Sequence, residues 1–189
     1  MELVLIKSSK HLRLFEKEWN TILEENNNSN PFIELEYVCK WWEVSGRNAE
    51  VEIYAVKENN RMIAFFPFQL KRTWFGYIAH FLAFEEALFM DLIVRKRDID
   101  RVIMFVLDSI ITQKKSIVFY LHGLSEKSIT THKLSNYLQA RNIKEKSIRT
   151  LTSYDEWDEC TRKTIFSTNK LGAKTYRDFL WAKEIIISK

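Results

Sequence analysis

A chain of 189 residues, 46% hydrophobic and 29% charged, can bury one sizeable core and has the balance of a globular protein, which excludes disorder over most of its length. Four glycines and two prolines beside a 14% aromatic share put the apolar residues into regular elements rather than loops. The net charge of +4 gathers late: nine Lys/Arg stand against five Asp/Glu between Arg141 and Arg177, and twenty against twenty elsewhere. That excess is not the dense, aromatic-laced stripe of a nucleic-acid binder, so no nucleic-acid partner is expected. No run reaches the roughly 20 apolar residues of a membrane span, and Leu3 to Ile6 lacks the length and basic flank of a signal peptide. A cytoplasmic location is the expectation. Cys39 and Cys160 are too far apart for a metal knuckle or a redox CxxC, and both read as structural.

Leu3 to Ile6 reads as a first strand. Ser8 or Ser9 can cap a helix whose apolar positions Leu12, Phe15, Trp19, Ile22 and Leu23 recur at helical spacing, up to the run Asn26 to Asn28. A turn through Asn30 and Pro31 leads to a second helix over Glu34 to Val44, ending near Gly46. Val51 onward reads as a strand, Asn59-Asn60 as a tight turn, and Met62 to Leu70 as a buried return strand, in which Pro67 predicts a bulge because it has no N–H for the ladder. Trp74 to Phe84 supplies a third strand and Asp91 to Val94 a short extension. Ile99, Val102, Ile103, Val106 and Ile110 mark one face of a helix with acids in its first turn and Lys114 and Lys115 at its end. The continuous run Ile117 to Leu121 between two helices reads as a buried parallel strand stopped by Gly123. Ser128 caps a further helix through Leu138, and Ile143 to Leu151 forms a last strand. Helix is expected over much of the remainder, anchored by Trp157, Ile165, Phe166, Tyr176, Phe179 and Leu180.

Strand, two helices, antiparallel meander, helix, strand, helix, strand is the order of the GNAT acyltransferase fold. The segments Asn30-Pro31-Phe32, Trp41-Trp42, Phe66 to Arg72, Phe89 to Ile93 and Phe119 to Leu124 together resemble the N-terminal region of the bacterial GNAT acetyltransferases associated with cellulose and other exopolysaccharide synthesis. That group is akin to the Fem-type peptidoglycan aminoacyltransferases. The resemblance implies an α/β (α+β) chain with a single GNAT-like domain over 1–152, a mixed central sheet with an antiparallel meander, and flanking helices. It also implies that 153–189 begins the basic inter-domain helix of a two-domain enzyme whose second GNAT domain lies beyond this sequence. The implied reaction is acetyl transfer from acetyl-CoA, or another acyl-CoA, to an amine or hydroxyl of a sugar-derived acceptor in polysaccharide biosynthesis.

The residues themselves carry less. A GNAT enzyme grips the coenzyme A diphosphate with a Q/R-x-x-G-x-G/A loop at a helix N-terminus. Here Gly46, Gly76, Gly123 and Gly172 are isolated, and the segment before the central helix reads Arg95-Lys96-Arg97-Asp98. That basic triplet is an anion attractor or a solvated turn. No cofactor site is evident from the sequence, and the chain alone is expected to be inactive or to depend on a partner. Asp91 and His122, at strand ends, are the candidate bases for the acceptor. Each also has a structural reading: Asp91 as a cap or as a pair for Arg95, His122 as the donor to a backbone carbonyl. Trp41 and Trp42 are candidates to line a sugar groove, or belong to the core and its rim. Glu85 and Glu86, on opposite faces of an extended chain, make no dyad, and no metal-ligand spacing is present. The competing reading is a non-catalytic interaction module, a degenerate GNAT domain docking onto a partner protein or a second copy through an apolar C-terminal helix that includes Trp181 and Ile185 to Ile187.

Overall fold

The computed structural model describes residues 1–87, 89–125, 128–149 and 183–188. Its described strands form one sheet in the order β1 (Glu2–Ile6), β2 (Glu50–Glu58), β3 (Arg61–Thr73), β4 (Gly76–Phe81), β6 (Ile117–Leu124), β8 (Lys183–Ser188), β7 (Lys144–Arg149), with the two-residue β5 (Ile93–Val94) on β3. The first four strands are antiparallel neighbours. The turn between β2 and β3 is made by Asn59 and Asn60, both at positive φ, the conformation that lets two residues reverse the chain without splaying the strands. β4 and β6 run parallel, and the crossover that this requires contains α4 (Ile99–Lys114). The parallel ladder starts beside Gly76, whose φ of +140° only glycine adopts easily, and where a Cβ would lie 2.3 Å from the Ser116 carbonyl oxygen.

Alternation along β2 and β3 sorts the core onto two faces. Phe65 faces α2 (Glu16–Glu25), which follows the short α1 (Ser9–Leu12), with its ring 4.8 Å from that of Trp19, whose indole N–H donates to the Ile33 carbonyl at 3.0 Å. This N–H bond ties α2 to the turn that enters α3 (Leu35–Val44). On the opposite face Phe68 is ringed by Phe66, Tyr54, Phe81 and Phe119 at 5.6–6.4 Å. Fully burying one such side chain stabilises the fold by about 1.5–3 kcal/mol. The same face holds Glu52, which is 3% exposed and takes bonds from Lys114 of α4 at 2.9 Å, Lys7 at 3.2 Å and the Tyr54 hydroxyl. Burial pushes the Glu52 pKa up. The bonds from Tyr54, Lys114 and Lys7 overcome it and hold the carboxyl below its ordinary value. α5 (Ile129–Ala140) packs on α4, with Ser128 as its N-cap.

Three expectations need correction. Pro67 makes no bulge against β2: it pairs with Ile53 in register, and the shift in that ladder lies between Val56 and Lys57. The missing N–H is felt on the other edge, since the Pro67 carbonyl accepts from Leu82 at the place where β4 has left β3 opposite Phe68 and β5 has yet to join it opposite Phe65. Gly123 does not stop its strand; β6 continues to Leu124 through a positive φ of 86°. Finally, 183–188 is a strand inserted between β6 and β7 rather than part of a C-terminal helix. Three consecutive isoleucines suit a sheet interior better than a helix, because β-branched side chains lose χ1 freedom against a helical turn. The expected basic helix, the anchors from Trp157 to Leu180, Trp181, Cys160 and the boundary after residue 152 lie outside the described residues.

Candidate functional site

The sheet opens between β4 and β6. Their ladder runs from Tyr77/Ile117 to His80/Tyr120, after which β4 ends and the chain leaves the sheet until β5. β6 goes on alone through a register break at His122 and Gly123 in its pairing with β8, and such breaks re-aim side chains. The Gly123 carbonyl accepts the Met90 N–H at 3.3 Å, so the excursion comes back against β6.

Beside this opening lies a cleft of about 460 Å³, lined by Asn26 to Asn30, by the returning segment with Asp91, and by Ser125, Ser128 and Thr130 at the start of α5. The wall is built by local capping. Asn26 donates to the Val94 carbonyl at 2.7 Å, and Asn30 accepts from Phe32 N–H while giving its amide to the Phe89 carbonyl at 3.2 Å. Asp91 accepts from its neighbour's N–H (Leu92, 2.7 Å) and from the Ser128 hydroxyl (2.7 Å), which in turn accepts from Thr130 N–H at 3.1 Å. Burial raises the Asp91 pKa above its usual value, and bonds from Thr130, Ser128 and Leu92 only partly offset this. The partner expected as an alternative, Arg95, is instead 3.3 Å from Glu25.

The other candidates are not gathered there. His122 is half-buried on β6, on the same face as Tyr120 and, across the parallel ladder, His80. Trp42 belongs to the core, and Trp41 packs against Gly46, where a Cβ would meet its ring at 2.5 Å. Neither tryptophan lines the cleft. Sequence reasoning missed two residues of the opening, Gln69 and His80. They are cross-strand partners on β3 and β4. A partial signal was available: Gln69 interrupts the run Met62 to Leu70, which is otherwise apolar, and His80 lies between Ala79 and Phe81.

The turn into α4 does not fit a diphosphate. Its three cations are engaged by the protein: Arg95 with Glu25, Lys96 on the Asn26 carbonyl at 2.8 Å, and Arg97 with Asp98 at 3.7 Å. Asp98 and Asp100 stand at the first turn, where the helix would otherwise favour an anion, and no glycine lets the backbone come close.

This architecture is shared. A mutant of spermidine N-acetyltransferase from Vibrio cholerae superposes with a TM-score of 0.50 over 100% of this chain and 95% of its own, at 12% identity. An N-acetyltransferase from Staphylococcus aureus Mu50 aligns over 100% and 98% at 13% identity and a TM-score of 0.49. One from Thermoplasma acidophilum, in complex with coenzyme A, aligns over 100% and 99% at 12% identity and a TM-score of 0.40. No family model and no curated protein sequence matches the chain. The chain therefore has the mixed α/β fold of the GNAT-type N-acetyltransferases.

Proposed function

We propose that the chain is a GNAT-type acyltransferase domain whose Asn-rich cleft receives the acceptor, a sugar-derived amine or hydroxyl of the kind handled in polysaccharide biosynthesis. One observation carries this reading: a carboxylate of raised pKa, Asp91, stands in a polar cleft at the opening between β4 and β6 of an N-acetyltransferase fold. The amides and hydroxyls of the lining, set beside apolar Phe89, Met90 and Ile99, suit a ligand with hydroxyls on an apolar ring face, because each such polar group both donates and accepts. A raised carboxylate pKa also brings Asp91 closer to that of a useful base at neutral pH. Ser128, bonded to Asp91 and reaching the same cleft, is placed to pass it the acceptor's proton.

The donor for this fold class is an acyl-CoA. Because the α4 turn does not fit its diphosphate, we assign donor binding to a second GNAT-type domain on a different partner chain. Calorimetric titration of acetyl-CoA into the isolated chain tests this: no saturable heat is expected, and tight binding overturns the division of labour. Acetyl transfer to glucosamine, measured with the separately supplied donor domain, tests the acceptor reading. Asp91→Asn should lower that rate at least tenfold, and an unchanged rate removes Asp91 from the chemistry.

A further inference from the structure

Gln69 and His80 sit on adjacent antiparallel strands as direct register partners, at the last rung before the sheet opens. Side chains so placed leave their strands about 5 Å apart on the same face. Gln69 Oε1 and His80 Nδ1 are both sealed from solvent, and neither has a hydrogen-bond partner, so they do not satisfy each other. A buried polar atom left unpaired costs on the order of 1–3 kcal/mol. Two of them at one rung are unusual in a protein interior unless a further group belongs between them. Aromatic rings enclose the imidazole. Phe84 stacks on the imidazole at 4.0 Å and 15°, and Tyr120 meets it edge-on at 5.4 Å.

The two atoms define what would fit. A side-chain amide oxygen only accepts, so the guest must have a hydrogen to give Gln69. Burial foremost, then the positive charge of Lys71 and the neighbouring His122, hold the His80 pKa below its usual 6.5 against the opposing effect of Glu85. The imidazole is therefore neutral near pH 7, and its Nδ1 accepts or donates according to tautomer. A hydroxyl or an amine meets both demands. A carboxylate oxygen has no hydrogen for Gln69.

We infer that Gln69 and His80 form a recognition site for a single hydroxyl or amine of a ligand, seated at the end of the β4/β6 ladder beneath Phe84. The inference rests on the acceptor reading above and sharpens it: this rung holds a second amine or hydroxyl of the acceptor, apart from the reacting group beside Asp91 and Ser128 in the Asn-rich cleft.

Imidazole nitrogen NMR tests it, with the His80 resonance assigned by His80→Gln. Glucosamine and the smaller ethanolamine are titrated into the wild-type chain and into Gln69→Leu, with acetate as the acceptor-only control. Saturable movement of the His80 Nδ1 resonance by either amine is expected, with affinity about tenfold weaker in Gln69→Leu and no movement with acetate. If glucosamine moves the backbone amides of Asn26 to Asn30 but leaves His80 unmoved, this inference falls and the acceptor reading stands. If His80 moves equally in Gln69→Leu, the shared site falls. If neither region responds and no acyl transfer is detected with the donor domain supplied, both readings fall.

Discussion

Two carboxylates, one buried on β2 and one half-buried by the opening between β4 and β6, show opposite design. On β2 Glu52 is surrounded by Lys7, Lys114 and Tyr54, and its pKa is held down. By the opening between β4 and β6 Asp91 meets only hydroxyls and a backbone N–H, and its pKa is pushed up. The contrast extends to neutral groups: Trp19 on α2 spends its indole N–H on Ile33, whereas Gln69 and His80 have buried atoms without partners. Trp41 on α3, whose buried Nε1 lacks a partner, departs from this pattern. The region around Glu52 and Trp19 is closed by its own side chains. The opening leaves polar capacity for something that is not part of the chain, as sites that trade stability for binding do.

The sharpest way to break the comparison is to injure the closed region. Trp19→Ala removes a fully buried indole, its contact with Phe65 and its bond to Ile33, and should cost about 3–5 kcal/mol in urea or guanidinium unfolding. Glu52→Gln keeps the shape and removes the charge that faces two lysines, and a loss of about 1.5–3 kcal/mol is expected. The folded pKa of Glu52 lies below its unfolded value, so its contribution is present at neutral pH and is lost as the pH falls below about 4.5 and through the folded pKa. Wild type and Glu52→Gln should therefore converge in stability on acidification. Asp91 has the opposite sign. Its folded pKa is raised, so its contribution is complete in acid and declines as the pH rises through that value. Ser128→Ala deletes an N-cap and a donor to Asp91; it should cost about 1 kcal/mol by thermal unfolding and raise the Asp91 pKa further, readable by carbonyl NMR titration.

How much of this was legible in the residues follows from which forces are local. Caps and periodicity are local, and Ser8, Ser128, the Asn59-Asn60 turn and the α4 stripe were all readable. Pro67 was readable as a defect but not as to which edge would feel it, because that depends on where β4 leaves β3, a matter of distant chain. The strand at 183–188 was missed for a related reason: its partners are β6 and β7, and an apolar run has no period to separate strand from buried helix. At the site, Asp91 was legible as a carboxylate at a strand end. Its raised pKa was not, since burial is a property of packing, and the rung of Gln69 with His80 needs the register of the hairpin.

The smallest expected effect is also the most discriminating. Gln69→Leu replaces an amide oxygen that has no partner by an apolar group of similar size, at a half-buried position across the ladder from His80. In the closed region, removing a polar group strands its partners and destabilises. Here nothing is stranded, because Oε1 bonds to nothing, and the desolvation cost of holding it there disappears. Stability should stay the same or rise by up to about 1 kcal/mol, a gain of roughly 2–4 °C in Tm for a chain of this size. His80→Phe should behave likewise. A loss of more than about 1 kcal/mol on either substitution would mean that the two side chains are already satisfied within the fold. The opening between β4 and β6 would then be as closed as the region built around Glu52, and the contrast on which the acceptor site depends would be gone.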